Sequence, residues 1–534
     1  MKKTVIAIVV AGALVAAGVG YATLRLVNGT PAEDSAIELV PDDAWLYANL
    51  FIEPSDDQKR ALDALLQRFP KVKSTEQALD ELAELFNEGL DDIGLTYEDD
   101  VEPWLGNQVA FFLSGDDFEV PDGAALLATD DPEAAAEAIE KARASDEFGT
   151  EPETKTYEGV EYEVDDDDAE VPFALGFVED FLVAGTEVGF QAVVDASTDE
   201  ENLSTSEKYE NAFEGVEDDN LLSLFLDQGV FAEELAQSGE LSDEEIEAIS
   251  TIPGFEGVGG FVLAARSDGL MMQGSTPIPE GRGGVFASAS TGTPLLGEMP
   301  ADAWFAVGIP EIGKLIKAFL ETVSAFPGDF TSMSRDFEDE TGLDLEDDVL
   351  SWMGDLAFFV QGTNFQEIGG GVVLESSDPD ATQRVLDRAR TMLEIEGIRV
   401  TDEERDGHRG FAVSAGIPAP IFALAADRLV IAYGNKATDD AIAPEDKLGD
   451  DPTFQLAEAA LGGDLEPSFF VNFEGVVELI EFAQGFGGVS PDPTYQRDVR
   501  PWLDPISFVV AGSRRDGDRL IQGLFVGVDT EEVS

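Results

Sequence analysis

Two acidic triplets, Glu98-Asp99-Asp100 and Glu346-Asp347-Asp348, are the residues of this chain best equipped for chemistry. Paired carboxylates can share acid–base work or hold a hard cation such as Ca²⁺, which takes several oxygen ligands. The competing reading is structural, and it is the stronger one. Acids at the start of a helical turn accept hydrogen bonds from the free N–H groups there and suit the helix dipole. With 111 acidic residues in the chain, such clusters also arise from composition alone. Asp165-Asp166-Asp167-Asp168 lacks the Gly and the spaced ligands of a Ca²⁺ loop, so it reads as a solvated hairpin loop. Gly257-Val258-Gly259-Gly260 and Gly369-Gly370-Gly371 precede strands with no Lys-Ser/Thr after them. They predict bends or close strand approach, not phosphate binding. His408, the single histidine, lies in Asp406-Gly407-His408-Arg409-Gly410 and is expected to serve in a turn. One His and no Cys leave no Cys–His nucleophile and no ordinary zinc set, and a Ser–His–Asp triad would rest on that one turn residue. A hydrolase working with carboxylates alone survives. No residue is assigned a catalytic, cofactor-binding or metal-binding role, and no cofactor is expected.

The triplets are positioned by a unit that occurs twice. Glu98-Asp99-Asp100-Val101-Glu102-Pro103-Trp104-Leu105-Gly106 returns as Glu346-Asp347-Asp348-Val349-Leu350-Ser351-Trp352-Met353-Gly354. Each copy follows a Gly-Leu pair (Gly94-Leu95, Gly342-Leu343) and enters an apolar run, at 109–113 and 356–360. A weaker echo is Asp498-Val499-Arg500-Pro501-Trp502-Leu503-Asp504. The unit reads as one short helical turn that docks a Trp and feeds a strand, with Trp104 and Trp352 as core anchors.

Further correspondences extend the repeat. Residues 40–48 and 299–307 both read as a turn into a strand. Apolar spacing of three and four predicts helices at 58–69, 75–86 and 312–326. A strand is expected at 124–128, followed by a helix at 132–144 capped by Asp131, with a matching helix at 380–393 opened by Asp378-Pro379. Residues 157–164, 173–184, 408–413 and 422–432 alternate like antiparallel strands. Closing hairpins are predicted at 258–266 with 270–274, and at 508–513 with 520–526, turned at Asp268-Gly269 and Asp516-Gly517. Strands joined by tight turns, with helices between them, imply α+β: two related halves, each a mainly antiparallel sheet with packed helices, after an N-terminal membrane helix. The expected division is an anchor or signal segment at 1–30, a first repeat at 31–280, a linker at 281–297 and a second repeat at 298–534. The low-charge Gly/Pro/Ser/Thr stretch 276–297 reads as linker or extended edge.

The 534 residues are 43% apolar, ample for a sizeable core. The net charge of -80 repels phosphate backbones and anionic headgroups, so nucleic acid is not an expected partner. Lys2-Lys3 precede an uncharged, apolar run at 4–24, close to the roughly 20 residues that span a bilayer, and acids follow it. That pattern predicts a single-pass membrane protein with the bulk of the chain extracytoplasmic, through an uncleaved anchor in preference to a cleaved signal.

The repeats, the fixed Trp and the wording Asp-Val-x-Pro-Trp-Leu-Gly resemble a bacterial family of exported, single-span proteins known as domain of unknown function three-three-five-two, with Ser351 standing where Pro is expected. The resemblance implies an anchored, extracytoplasmic location and supplies no reaction. The leading expectation is therefore a non-enzymatic, membrane-anchored binding or structural protein of the bacterial envelope, with an envelope protein, glycan or lipid as partner. The main rival is a carrier of an apolar ligand such as a lipid, and a carboxylate-dependent hydrolase is a distant third.

Overall fold

The computed structural model describes residues 33–69, 87, 90, 94–115, 121–144, 152–165, 172–199, 201–230, 242–250, 257–279, 283–289, 291–324, 330–364, 367–414, 420–485 and 494–529. The expected anchor at 4–24 and helix at 75–86 lie outside them. Among the described residues no helix is long and apolar enough to cross a membrane. The fold is α+β, with large antiparallel sheets and many helices. The described residues form two compact units, the first holding those up to 230 and 257–276, the second 242–250 and 277–529.

In the first unit the strands are β1 (Leu46–Phe51), β2 (Leu105–Ser114), β3 (Asp122–Thr129), β4 (Glu153–Tyr157), β5 (Val160–Asp165), β6 (Phe173–Val178), β7 (Phe181–Thr186), β8 (Leu222–Asp227), β9 (Val258–Arg266) and β10 (Gly269–Pro277). Every pairing is antiparallel, in the order β10-β9-β8-β1-β2-β3-β7-β6-β5-β4. In the second unit they are β11 (Ala303–Ile309), β12 (Met353–Gln361), β13 (Gly369–Ser376), β14 (Val400–Arg405), β15 (His408–Val413), β16 (Ile421–Ala425), β17 (Arg428–Tyr433), β18 (Glu466–Asn472), β19 (Ile506–Asp516) and β20 (Arg519–Val528). Their order, β20-β19-β18-β11-β12-β13-β17-β16-β15-β14, is that of the first unit with ten added to each label.

The helix after β3 starts where its cap signal places it. Asp131 accepts from the N–H groups of Glu133 and Ala134, and the helix runs Pro132–Arg143 with Ala135, Ala138 and Ala142 buried. Asp378 likewise accepts from Ala381 N–H and opens Pro379–Ile395. Proline at the first helical position costs nothing, because its missing N–H would have had no partner. The helices expected at 58–69 and 312–326 are Asp56–Leu66 and Ile312–Val323.

Several expectations need correction. Residues 157–164, 173–184 and 422–432 are not single strands: each contains a two-residue turn, at Glu158-Gly159, Glu179-Asp180 and Ala426-Asp427, with positive φ at Glu158, Gly159 and Glu179. Strands β4 and β14 went unread because they are thinly buried edge strands rich in charge. The stretch 276–297 is extended only at its start, where Thr276-Pro277 end β10; among its other described residues are short helices at Gly283–Ala289 and Pro294–Gly297, the latter capped by Thr293 with Leu295 and Leu296 buried. Low charge there reflects burial. The closing hairpins are right, but their turns fall one residue away, at Ser267-Asp268 and Gly517-Asp518.

Candidate functional site

Both Trp units have the expected form, a turn that docks a Trp and feeds a strand. Residues Tyr97–Val101 and Leu345–Val349 make a single wide turn closed by five-residue hydrogen bonds, Glu102 N–H to Tyr97 O in one and Leu350 N–H to Leu345 O in the other. A glycine in the left-handed region precedes each, Gly94 at φ 72° and Gly342 at φ 70°. The weaker echo folds the same way at Tyr495–Val499, although Trp502 is only half-buried. Trp104 and Trp352 are buried at 5% and 1% exposure. Each indole N–H donates to the carbonyl oxygen four residues earlier, Asp100 at 2.6 Å and Asp348 at 2.9 Å. Each Trp carbonyl accepts from the chain leaving the next strand, Asp130 N–H at 3.0 Å and Ser377 N–H at 3.0 Å. The turn is therefore stitched to the end of β3 or β13, just ahead of the capped helix.

The acids of the triplets divide by role. Asp99 and Asp347 are exposed, as are Glu98 and Glu346. Asp100 turns inward, accepts from Thr96 N–H at 2.8 Å and pairs with Lys141 Nζ at 2.6 Å. Partial burial pushes its carboxyl up, but the hydrogen bonds from Lys141 and Thr96 outweigh this and leave its pKa below the usual aspartate value. In the second unit Asp348 accepts from Asp344 N–H at 2.9 Å, while Arg388 donates to the Glu340 carbonyl. Among the described residues no group of three or more His, Cys, Asp or Glu is placed to hold a metal ion.

Of the remaining candidates, Asp165 ends β5, and Asp166 to Asp168 lie outside the described residues. A Cβ on Gly370 would sit 2.5 Å from the Phe359 carbonyl oxygen, which confirms close strand approach at the Gly369-Gly370-Gly371 run. A Cβ on Gly260 would come within 2.4 Å of the Ala212 carbonyl oxygen. His408 is not in a turn: it is the first residue of β15, immediately after the Asp406-Gly407 turn, and is 8% exposed. Its Nε2 stands 3.7 Å from Asp427 Oδ1, too far for a hydrogen bond.

Two features escaped the sequence reading. The first is a polar cluster inside the first unit. Asp34, just ahead of the turn Ala36–Leu39, accepts from Tyr47 Oη at 2.7 and 2.9 Å and from Ile37 N–H at 3.3 Å. Gln108, fully buried, turns its amide nitrogen to Asp34 Oδ1 at 3.2 Å while its oxygen accepts from Ser35 N–H at 3.2 Å. Burial pushes the Asp34 carboxyl up to about 6, against the lowering effect of its hydrogen bonds from Tyr47, Ile37, Ala36 and Asn49. Tyr47 and Tyr209 are both held above the usual phenol range, by burial first and then by the nearby Asp34 charge.

The second is an apolar face on each sheet. Residues paired across antiparallel strands point to the same side. In the second unit Ala306, Phe359 and Phe470 fill the closed side at 0%, 0% and 1% exposure. Their neighbours Phe305, Phe358 and Phe469 point to the other side and are only half-buried, as are Val307, Val360 and Val471. Phe305 meets Phe469 and Phe358 edge-on, at centroid distances of 5.5 and 5.9 Å. The face continues through Val372 to Ile431, which is 43% exposed. In the first unit the same side carries half-buried Leu46, Phe111, Leu224, Phe261 and Leu263, ending at Met272, 46% exposed. One end of each such face is covered, by Trp104 with Ala135 and Ala138 in the first unit and by Trp352 with Ile312 and Val385 in the second.

A family model described as a protein of unknown function (DUF3352) matches residues 4–492. No curated protein matches the chain. Among solved structures, crystal form III of TP0453 is 11% identical over 46% of this chain and 80% of that one, with a TM-score of 0.22. Crystal form I of TP0453 is 10% identical over 48% and 82%, also with a TM-score of 0.22.

Proposed function

Because the chain belongs to this family of unknown function, to which no reaction is attached, we propose its role from the surface it presents: a non-enzymatic, membrane-anchored extracytoplasmic protein that binds an apolar ligand. The observation that carries the reading is the half-buried apolar face of each sheet, typified by Phe305 and Leu224. Monomeric proteins rarely leave a wide contiguous apolar surface in water, and such surfaces mark binding sites. The net charge of -80 narrows the occupant. A second copy of this chain or an anionic headgroup would be repelled, so the ligand is an acyl-chain molecule with a neutral or cationic head. The matching strand orders support reading the chain as two copies of one unit, hence two such faces per molecule. Anchoring by residues 4–24, with the body outside the cytoplasm, remains the reading of the N-terminal sequence pattern. It would place that ligand in the envelope.

The experiment is equilibrium binding of a fluorescent diacylglycerol to the full chain, with Phe305→Asp and Leu224→Asp as variants. A buried carboxylate on either face should weaken binding at least tenfold at that face while the melting temperature stays near that of the parent. Unaltered affinity in both well-folded variants would sink the proposal. Turnover of ester or glycoside substrates that is lost in Asp99→Asn or Asp347→Asn would restore the carboxylate hydrolase.

A further inference from the structure

The two units fill the positions of the Asp34 cluster differently, with the carboxyl ahead of the first strand in one and on β12 in the other. Trp45 and Trp304 correspond, and eleven residues before Trp304 stands Thr293, which accepts from Leu295 N–H and donates to Asp355, a half-buried carboxyl on β12 that also accepts from Glu311 N–H. The short helices that follow do correspond, Ala36–Leu39 in one unit and Pro294–Gly297 in the other. In the first unit the acid directly precedes the short helix, at Asp34. The Ala36–Leu39 turn buries Ala36, Ile37 and Leu39, so the side chains it docks are apolar and Asp34 is the one carboxyl buried with them.

We infer that the protonation state of Asp34 sets how firmly the Ala36–Leu39 turn grips the first unit, tight in mildly acidic surroundings and looser above neutrality. The titratable groups that face Asp34 are Tyr47 from β1 and Tyr209 from the helix Glu207–Ala212. Strand β2 presents the uncharged Gln108, β1 adds Asn49, β8 contributes Ser223 beside Tyr209, and Glu38 on the turn itself is exposed. No cation compensates the carboxylate among these groups, so its ionised form rests on hydrogen bonds alone. Protonation relieves the burial cost, and the neutral acid keeps Tyr47 Oη within reach as an acceptor. The sign follows from linkage. A carboxyl whose folded value, about 6, lies above its ordinary 3.8 stabilises docking fully below the lower value and loses that contribution as pH rises through the upper one. At higher pH the docked turn bears the whole cost of a buried charge.

The test is hydrogen exchange of the Ala36–Leu39 amides in the full chain at pH 5 and pH 8, corrected for the intrinsic rate at each pH. Between pH 5 and the folded value of about 6 the docked carboxyl holds a proton that the undocked one has lost, and one proton linked across that interval changes the equilibrium about tenfold. Opening should therefore be about tenfold more frequent at pH 8. Asp34→Asn should abolish the difference. Tyr47→Phe, which removes a hydrogen bond favouring the charged form, should keep it and move its midpoint to higher pH. Equal protection at both pH values in the parent protein, a difference that survives in Asp34→Asn, or a midpoint in Tyr47→Phe that stays put or falls would each overturn the inference.

Discussion

The indole N–H of Trp352 donates to the main-chain carbonyl of Asp348 at 2.9 Å, four residues earlier in the sequence. The indole thus spans the wide turn that carries it, and the same bond recurs between Trp104 and Asp100 at 2.6 Å. Replacing either Trp by Ala should cost about 3–5 kcal/mol, the range for truncating a large buried aromatic. Replacement by Phe removes the hydrogen bond but keeps most of the burial, and the exposed Asp99→Asn should change stability by less than about 0.5 kcal/mol. Chemical denaturation of these variants separates the cases, and equally small effects would show the Trp residues to be dispensable to the core.

Asp100 makes a prediction about acid. Its folded pKa lies below the ordinary aspartate value, so the stability it contributes is present above that value and is lost as pH falls through the lower folded one. Asp100→Asn should therefore melt below the parent at pH 7 and converge with it at strongly acid pH. A gap that persists undiminished in acid would point to lost packing in place of the Lys141 pair.

Charge sets a third expectation. At low ionic strength the excess carboxylates repel one another, and raising NaCl from about 0.01 M to 0.1 M shortens the Debye length from about 30 to about 10 Å. Melting temperature should rise across that range by thermal denaturation. CaCl₂ at equal ionic strength should do the same, and a much larger rise with calcium would mark a specific cation site.

Sidedness is checked with protease added to intact spheroplasts. Extracytoplasmic placement expects the body after residue 38 to be digested without lysis. Protection until lysis would place it inside.

Much of this architecture was legible because local signals agreed. Asp131-Pro132 and Asp378-Pro379 mark helix starts by chemistry that needs no tertiary context, and the Trp unit repeats with its Gly-Leu preface. Edge strands such as β4 were not legible, since a charged run such as Glu153-Thr154-Lys155 shows no apolar alternation when neither side is deeply buried. The apolar face did leave a signal. Runs such as Ala303–Ile309 are apolar at successive positions, as in strands covered on both sides. Only the assembled sheet reveals that one of those sides is half open. The Asp34 cluster left none, because its members Asp34, Tyr47, Gln108 and Tyr209 come from a turn, two strands and a helix that meet only in the folded unit.

The strand order carries a consequence for how the protein is made. In the first unit β1 sits between β2 and β8, so it has one neighbour arriving at residue 105 and the other only at residue 222. The second unit repeats the delay, with β11 waiting for β18 at residue 466. During synthesis the strand that emerges first in each unit must keep one row of backbone N–H and C=O groups unpaired until nearly the whole unit has followed. Long-range closure of this kind is slow, and an open edge is a template for pairing with the wrong chain. A chain interrupted between β2 and β8 would expose that edge permanently, so truncated products should be aggregation-prone and removed by proteolysis rather than persist as stable fragments.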